Sequence, residues 1–174
     1  RANRTGFGVS FIGPAWSDGE LLDLAARFDT REATPPLDLE APTPRIKLAV
    51  VGAHLAGMPL HWQLTSRNAR FVGAAKTACE YKLYAMTHTA PPKPALIHVG
   101  AGGGALEVEV YELDEAAFGS FTAEVPAPLA IGTVTLADGS SVKGFVAEPR
   151  AMQGAEDITS LGGWRAFIAS RAKG

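Results

Sequence analysis

Short apolar runs, separated by glycine, proline and charged residues, recur along most of this chain. Residues 46–51 are mainly aliphatic and β-branched, as in a buried strand. Residues 106–113 alternate between apolar and polar side chains, as in a strand with one face in solvent. Six further runs have strand character. The predicted strands are residues 7–12, 46–51, 70–78, 81–86, 95–99, 106–113, 129–136 and 141–147.

Helical patterns are fewer than strand patterns. A capping box at residues 17–20, followed by apolar residues, predicts a helix that ends near Phe28. Asp114 is the predicted cap of a short helix, and residues 160–169 predict a closing helix. Asp138–Gly139, between two alternating runs, predicts a hairpin. This order predicts an α+β fold, a small mixed β-barrel with flanking helices.

A proline-rich segment separates two parts of the chain. Residues 29–44 hold four prolines among charged residues, which predicts an extended, semi-rigid linker. One strand and one helix cannot bury their own apolar faces, so residues 1–28 are expected to be the end of another domain. Residues 45–174 then form a second domain. Because the chain begins at Arg1, we expect it to be a fragment of a longer protein.

The amino-acid composition excludes several kinds of partner and cellular location. The net charge is −2 and basic residues do not cluster, so no nucleic-acid partner is expected. No apolar run is long enough to span a membrane and no signal peptide is present, which predicts a cytoplasmic protein without a membrane partner. The single cysteine, Cys79, excludes an internal disulfide, and its context predicts a small buried side chain in a strand.

His54 is the strongest candidate for chemistry. It lies just beyond the predicted strand 46–51, in a loop that Gly52 and Gly57 must shape. In open sheets, the loop after the carboxyl end of a strand is the usual place for a ligand. A histidine has an ordinary pKa of about 6.5 and can donate or accept a proton at neutral pH. The sequence therefore predicts a site here, with Gln63 close by.

Other patterns have ordinary structural explanations. The glycine run 100–104 lacks phosphate-loop spacing and is expected to be a hairpin loop. Glu107 and Glu109 share one strand face and could act as a pair, but a solvated face is the favoured interpretation. Glu124 is a lone carboxylate with the same expectation. The four histidines lack metal-ligand spacing, so neither a metal nor another cofactor is expected.

Several motifs follow one another in order over residues 45–171. They are Val51-Gly-Ala-His-Leu-x-Gly-x-Pro-Leu60, Gln63-Leu-Thr-x-Arg-x-Ala-Arg-Phe71, Tyr81-Lys-Leu-Tyr84, Pro92-Lys-Pro94, Ile131-Gly-Thr-Val134 with Val142-Lys-Gly-Phe145, and Asp157-Ile-Thr-x-x-Gly-Gly-Trp-Arg165. Together they resemble the C-terminal domain of allophanate hydrolase. Upstream, residues 6–17 resemble the last strand and helix of an amidase-signature enzyme, the domain that precedes this one in allophanate hydrolase.

The resemblance implies a fold like that of the γ-glutamyl cyclotransferases and a role in breaking down urea, triazines or cyanurate. In allophanate hydrolase, the amidase domain deaminates allophanate to N-carboxycarbamate and ammonia. The C-terminal domain then assists conversion of N-carboxycarbamate to carbon dioxide and ammonia. The resemblance implies that the amidase catalytic residues would lie upstream of this fragment. The implied partners are a small dianionic substrate, the amidase domain of the same chain and, in a possible homodimer, a second copy.

The resemblance also suggests roles for individual residues. Loss of carbon dioxide from N-carboxycarbamate leaves charge on nitrogen, and His54 is expected to supply the proton as donor and acceptor. Backbone N–H groups and polar side chains are expected to bind the two carboxylates. The predicted substrate-binding residues are Gly52, Ala53, Leu55, Gln63, Tyr84 and Lys93.

Departures from the cyclotransferase pattern leave two alternatives open. The cyclotransferases carry a Tyr-Gly-Ser motif where this chain has residues 51–54, and residues around Glu124 do not match their glutamate motif, so cyclotransferase activity is not expected. That activity would need an acidic residue in the same pocket as the Gly-Ala-His turn. Because N-carboxycarbamate also decomposes unaided, the domain could instead be a non-catalytic structural or oligomerisation module of the amidase.

Overall fold

The computed structural model describes residues 9–28 and 44–172. The chain divides between residues 41 and 42 into two units, and each is described by itself. The linker predicted over residues 29–44 lies outside the described residues, except for Pro44.

In the first unit, helix α1 spans Asp18–Phe28 and confirms the helix predicted to end near Phe28. The Ser17 hydroxyl before it donates to the carbonyl oxygen of Pro14 over 2.7 Å. The strand predicted over residues 7–12 is wrong for residues 9–12, which are irregular, and residues 7 and 8 lie outside the described ranges. A strand needs a pairing partner, and residues 9–28 contain no second strand.

The second unit holds the remaining elements, in which short α-helices interrupt or follow runs of strands. They are β1 (Arg45–Val50), α2 (Trp62–Thr65), β2 (Arg70–Lys76), β3 (Tyr81–Met86), β4 (Lys93–His98), β5 (Glu107–Asp114), α3 (Glu115–Ala123), β6 (Leu129–Thr135), β7 (Ser141–Ala147), β8 (Glu156–Asp157) and α4 (Trp164–Arg171). Short 3-10 helices at Pro149–Met152 and Thr159–Leu161 flank β8. All seven strands predicted in this unit are present, with ends that differ by at most a few residues.

The strands form two sheets. The larger has the order β2-β5-β1-β7-β6, and the smaller has the order β4-β3-β8. Strand β1 pairs antiparallel with β5, where Leu48 faces Tyr111, and parallel with β7, where Leu48 faces Lys143. The predicted α+β class with a mixed sheet is confirmed. These pairings define two sheets and do not confirm that the strands close into a barrel.

Strand β1 carries the chain out of the core toward the site. Leu48, Val50 and Val51 are fully or almost fully buried, as continuous apolar runs in central strands usually are. The following residue, Gly52, lies directly against β4, because a Cβ atom there would stand 2.1 Å from Pro94 Cδ. The loop that bears His54 therefore starts from a tightly packed position.

Helix α3 places a second part of the site. Asp114 Oδ1 accepts a hydrogen bond from the N–H of Ala117 over 2.8 Å and confirms the predicted N-cap. Phe121 anchors the helix in the core, where its side chain is almost fully buried. The helix ends at Ala123, so Glu124 follows at its C-terminus.

The connections after β4 and after β2 differ from the sequence prediction, whereas the one after β6 agrees with it. The glycine run 100–104 is not a hairpin loop, because it links β4 in the small sheet to β5 in the large one. A Cβ at Gly103 would lie 2.5 Å from the Tyr81 carbonyl oxygen, so this loop packs closely on β3. Cys79 is exposed in a turn, not buried in a strand, because β2 ends at Lys76. Asp138–Gly139 does connect the hairpin β6–β7, with Gly139 at φ 83°.

Among the described residues, no helix is both long and apolar enough to cross a membrane.

Candidate functional site: a polar cavity at His54

The loop after β1 is closed by its own backbone hydrogen bonds. The N–H of Leu55 donates to the carbonyl of Gly52 over 2.9 Å, and the N–H of Leu60 donates to the carbonyl of Ala53 over 2.8 Å. Gly57 sits in the left-handed region with φ 78°, which glycine adopts at little cost. These contacts hold His54 in a defined position at the end of the strand.

His54 opens into a cavity of about 170 Å³. The loop after β1, α2, α3 and the segment after it, the start of β4, and strand β7 all contribute to its walls. The lining residues are His54, Leu60, Gln63, Ala90, Pro91, Lys93, Phe121, Glu124, Val125, Pro126, Leu129 and Phe145. The lining thus combines aromatic and aliphatic side chains with an imidazole, an amide, an ammonium and a carboxylate.

The His54 ring is held by three neighbours. Its Nε2 lies 2.7 Å from Gln63 Oε1. The ring stacks on Phe145 with centroids 5.0 Å apart and 18° between the planes, and it meets Phe121 edge-on at 5.1 Å. Three contacts on one imidazole fix both its position and its plane.

The environment favours neutral His54. Burial lowers the pKa of His54 below its ordinary value, the Gln63 hydrogen bond opposes that shift, and electrostatic interaction with Lys93 and with the neighbouring His61 adds to it. An imidazole held in this way accepts a proton more readily once a negative charge enters the cavity.

A hydrogen-bonded series extends from His54 through the cavity wall. Gln63 Nε2 donates to Glu124 Oε2 over 3.2 Å, and Arg67 Nη2 donates to Glu124 Oε1 over 2.5 Å. Arg67 also donates to the Gln63 carbonyl over 3.0 Å and to Ser120 Oγ over 2.8 Å. Glu124, expected to be a lone solvated carboxylate, is paired and lines the cavity, while its side chain remains 49% exposed.

Lys93 lies beside His54 at the start of β4. It lines the main cavity and also a smaller adjoining space of about 20 Å³, together with Gly52 and Ala53. Four residues of the predicted site besides His54 therefore come together with it: Gly52, Ala53, Gln63 and Lys93.

Leu55 and Tyr84 are placed differently from the rest of the predicted site. The Leu55 side chain is fully buried in the core and its N–H is already bonded to Gly52, which leaves that donor unavailable to a ligand. Tyr84 lies within β3, facing Ala95 across the β3–β4 ladder and packed against a small apolar cluster that includes Met86.

Glu109 was expected on a solvated strand face, and this expectation is wrong. Only 8% of Glu109 is exposed, because the loop after β1 and helix α4 cover this part of β5. Its carboxylate accepts hydrogen bonds from the Ala56 N–H (2.7 Å), Tyr111 Oη (3.0 Å) and Arg165 Nη2 (2.8 Å). Arg165 Nη2 also donates to the Ala56 carbonyl over 2.9 Å, so both backbone polar groups of Ala56 are held.

This network shifts the pKa values of its members. Burial alone would raise the pKa of Glu109, but the hydrogen bonds from Ala56, Arg165 and Tyr111 outweigh it and the pKa is lowered. Burial and the Glu109 carboxylate raise the pKa of Tyr111. Tyr111 Oη also lies 3.1 Å from His61 Nε2, which connects the network to the far end of the loop.

Sequence reasoning missed Arg67, Phe121, Phe145 and Arg165 as parts of the site. Arg67, Phe145 and Arg165 lie within the motifs that carry the family resemblance, so their presence in those motifs was the available signal. Across residues 9–28 and 44–172, no three His, Cys, Asp or Glu side chains are grouped closely enough to hold a metal ion.

The fold and the site define an α+β domain with a histidine-containing polar cavity next to a central strand. Residues 46–169 match the family model of the allophanate hydrolase C-terminal domain, and the chain belongs to this family.

Individual relatives agree with this assignment. Urea amidolyase from Lachancea kluyveri is 40% identical over 185 residues, which cover 92% of this chain and 10% of the relative. The structure of Kluyveromyces lactis allophanate hydrolase is 41% identical with a TM-score of 0.70, over 88% of this chain and 29% of that one. A protein specific to uropathogenic Escherichia coli is 34% identical with a TM-score of 0.68, over 72% of this chain and 97% of that one. The chain thus spans about a tenth of the length of the curated relatives that it matches.

Proposed function

We propose that this chain is the C-terminal part of an allophanate hydrolase and assists conversion of N-carboxycarbamate to carbon dioxide and ammonia. In this proposal, residues 1–28 end an amidase-signature domain, residues 29–44 link it to the domain that starts at residue 45, and the amidase supplies N-carboxycarbamate. His54 donates and accepts the proton. The observation that carries the proposal is the placement of His54, Gln63 and Lys93 around one cavity of about 170 Å³.

The chemistry of the substrate matches these groups. N-carboxycarbamate carries two carboxylates on one nitrogen, and breaking one N–C bond releases carbon dioxide while the electron pair stays on nitrogen. A proton from His54 at that nitrogen gives carbamate, and a second proton taken up by the carbamate nitrogen gives ammonia and the second carbon dioxide. Without the proton, the leaving nitrogen would carry the full negative charge.

The remaining groups have distinct roles in this scheme. Lys93 binds one carboxylate as a cation, and the backbone around Gly52 and Ala53 contributes to the same end of the site. The phenyl rings of Phe121 and Phe145 cover His54 and exclude water from its faces. The two negative charges of the substrate raise the pKa of His54 again and so favour the protonated donor.

Two alternatives are separated by particular observations. A purely structural module would not need polar side chains converging on His54, so the arrangement of Gln63, Lys93 and Glu124 supports the catalytic hypothesis over it. A cyclotransferase needs an acidic residue in this cavity, and Glu124 meets that condition. Release of 5-oxoproline from a γ-glutamyl dipeptide would favour the cyclotransferase.

The lifetime of N-carboxycarbamate tests the proposal. An allophanate-hydrolysing amidase without this domain generates the compound, the 174-residue chain is added in trans, and rapid mass spectrometry follows its decay. We expect the chain to shorten the lifetime, and we expect His54→Ala to abolish that effect. His98→Ala is the matched control, because His98 lies on β4 with its side chain 57% exposed. An unchanged lifetime with the wild-type chain would favour the structural module.

A further inference from the structure

Four side chains are joined in series at the cavity, and each contact restricts the next. Arg67 binds Glu124, Glu124 accepts from Gln63, and Gln63 contacts His54 at 2.7 Å. The series starts at a cation and ends at the imidazole that the proposed function uses. It therefore fixes which atom of each group donates and which accepts.

The direction of the series follows from the inventory of donors and acceptors. The Glu124 side chain, paired with Arg67 as a carboxylate, can only accept hydrogen bonds. Gln63 must then turn its NH2 group toward Glu124, which leaves its carbonyl oxygen facing His54. A carbonyl oxygen can only accept, so the His54 Nε2 opposite it must carry a hydrogen. Only this orientation of the Gln63 amide satisfies both of its neighbours.

Arg67 makes this arrangement rigid. Besides Glu124, its guanidinium donates to the Gln63 backbone carbonyl over 3.0 Å and to Ser120 Oγ over 2.8 Å. Its side chain is 15% exposed, whereas that of Glu124 is 49% exposed. The guanidinium thus bridges the residue that carries the amide and the helix that precedes the carboxylate.

We propose that Glu124 is a positioning residue that acts through Gln63 to hold neutral His54 in the tautomer with its hydrogen on Nε2. Nδ1 is then the ring nitrogen that takes up and releases the proton. The proposal deepens the proposed function by naming the reacting atom of His54, and its connection to catalysis rests on that function. The tautomer itself is a property of the resting protein and can be measured without turnover.

The ring nitrogens of His54 test the proposal directly. The 174-residue chain is labelled with 15N-histidine, and long-range 1H–15N correlation spectra are recorded at pH 8, where the neutral imidazole is observed. His54→Ala assigns the signals. We expect a protonated, pyrrole-type signal for Nε2 and an unprotonated, pyridine-type signal for Nδ1. The opposite assignment in the wild-type chain would overturn the proposal.

Variants test the route through Gln63. In Glu124→Gln, the new amide can donate as well as accept, so the Gln63 amide is free to turn over. We expect the two His54 nitrogen shifts to move toward each other, as in a mixture of tautomers. Gln63→Leu, which removes the connection and leaves Glu124 in place, is expected to have the same effect. Unchanged His54 shifts in either folded variant would overturn the proposal.

A matched control separates positioning from general effects of charge removal. Glu148→Gln removes a comparable carboxylate. Glu148 is exposed, lies outside the cavity lining and pairs with Arg150 at a distance of 2.5 Å. We expect the His54 shifts of Glu148→Gln to equal those of the wild-type chain. Failure of the lifetime assay would reject catalysis without changing the tautomer result, whereas a wrong tautomer would reject this inference and leave catalysis by His54 intact.

Discussion

The buried carboxylate of Glu109 accepts a hydrogen bond of 2.7 Å from the backbone N–H of Ala56, two residues beyond His54. Strand β5 therefore supports the loop that carries the cavity histidine. Arg165, on helix α4, binds the same carboxylate and the carbonyl of Ala56, so the two backbone polar groups of this residue connect a strand, a helix and the site loop.

Replacing Glu109 by glutamine should destabilise the fold and loosen the loop. The amide cannot accept from three donors as the carboxylate does, and Arg165 loses its counter-charge. We expect the free energy of unfolding to fall by about 2–3 kcal/mol, measured by urea denaturation. Glu107→Gln, on the same strand but exposed, should change it by less than about 0.5 kcal/mol. Equal stability of the two variants would contradict the supporting role of Glu109.

The same carboxylate predicts how stability depends on pH. The pKa of folded Glu109 is lowered, so its contribution is present above the ordinary glutamate range and is lost as the pH falls through the folded value. The stability difference between the wild-type chain and Glu109→Gln should therefore shrink in acid. Urea titrations from pH 7 to pH 3 measure it, and a constant difference would contradict this account.

Gly52→Ala should disturb the site through packing. A Cβ at this position would lie 2.1 Å from Pro94, so β4 and the adjacent Lys93 must move. We expect a loss of about 1–3 kcal/mol in the free energy of unfolding and a shift of the His54 resonances.

Gly119→Ala is a control that should raise the free energy of unfolding, whereas Gly52→Ala should lower it. Gly119 lies inside α3, where an added Cβ meets nothing within 4 Å, so alanine should stabilise the chain by about 0.5–1 kcal/mol. If Gly52→Ala behaved like Gly119→Ala, the close contact with Pro94 would not be a constraint.

Lys93→Gln should weaken binding of a dianion and raise the pKa of His54. Burial is the main cause of the lowered pKa, and the positive charge of Lys93 adds to it, so removing that charge shifts the pKa upward. Malonate is a suitable probe because it replaces the nitrogen of N-carboxycarbamate by a methylene group. We expect its affinity to fall by about tenfold, as loss of one charge-assisted contact implies.

Calorimetry with malonate and an NMR titration of His54 measure both effects. Lys143→Gln is the matched control, since Lys143 is an exposed residue of β7 outside the cavity lining. Equal malonate affinity in the two variants would show that Lys93 does not bind the anion.

Much of the fold was predictable because its signals are local. The strand signal over residues 106–113, the Asp114 cap and the Asp138–Gly139 turn each act within a few residues, and each element is present. The solvent-exposed face predicted for that strand is wrong, because β5 is buried on both faces from Val108 to Tyr111. The strand predicted over residues 7–12 was wrong over residues 9–12, because a strand also needs a neighbour, which apolar alternation alone does not specify.

The site was only partly predictable for the same reason. His54 stood out because glycines surround it and it follows a buried strand. Glu109 and Glu124 were underestimated because their partners Arg165 and Arg67 lie 56 and 57 residues away in sequence. A single sequence contains no record of such pairings. Tyr84 packs against a small apolar cluster, and its substrate-binding role stays a prediction, since tyrosine in a strand has the same pattern whether it faces a cavity or an apolar cluster.

The most direct test of the central claim is the pH dependence of N-carboxycarbamate breakdown by the wild-type chain and by His54→Ala, each corrected for uncatalysed decay. A proton donor must be protonated, so the enhancement of kcat/KM should decrease as the pH rises through the pKa of free His54, which lies below its ordinary value. The enhancement of kcat should persist to higher pH, because the bound dianion raises that pKa. Absence of this pH-dependent enhancement in His54→Ala would agree with the account. An enhancement that is independent of pH, or that remains in His54→Ala, would contradict it.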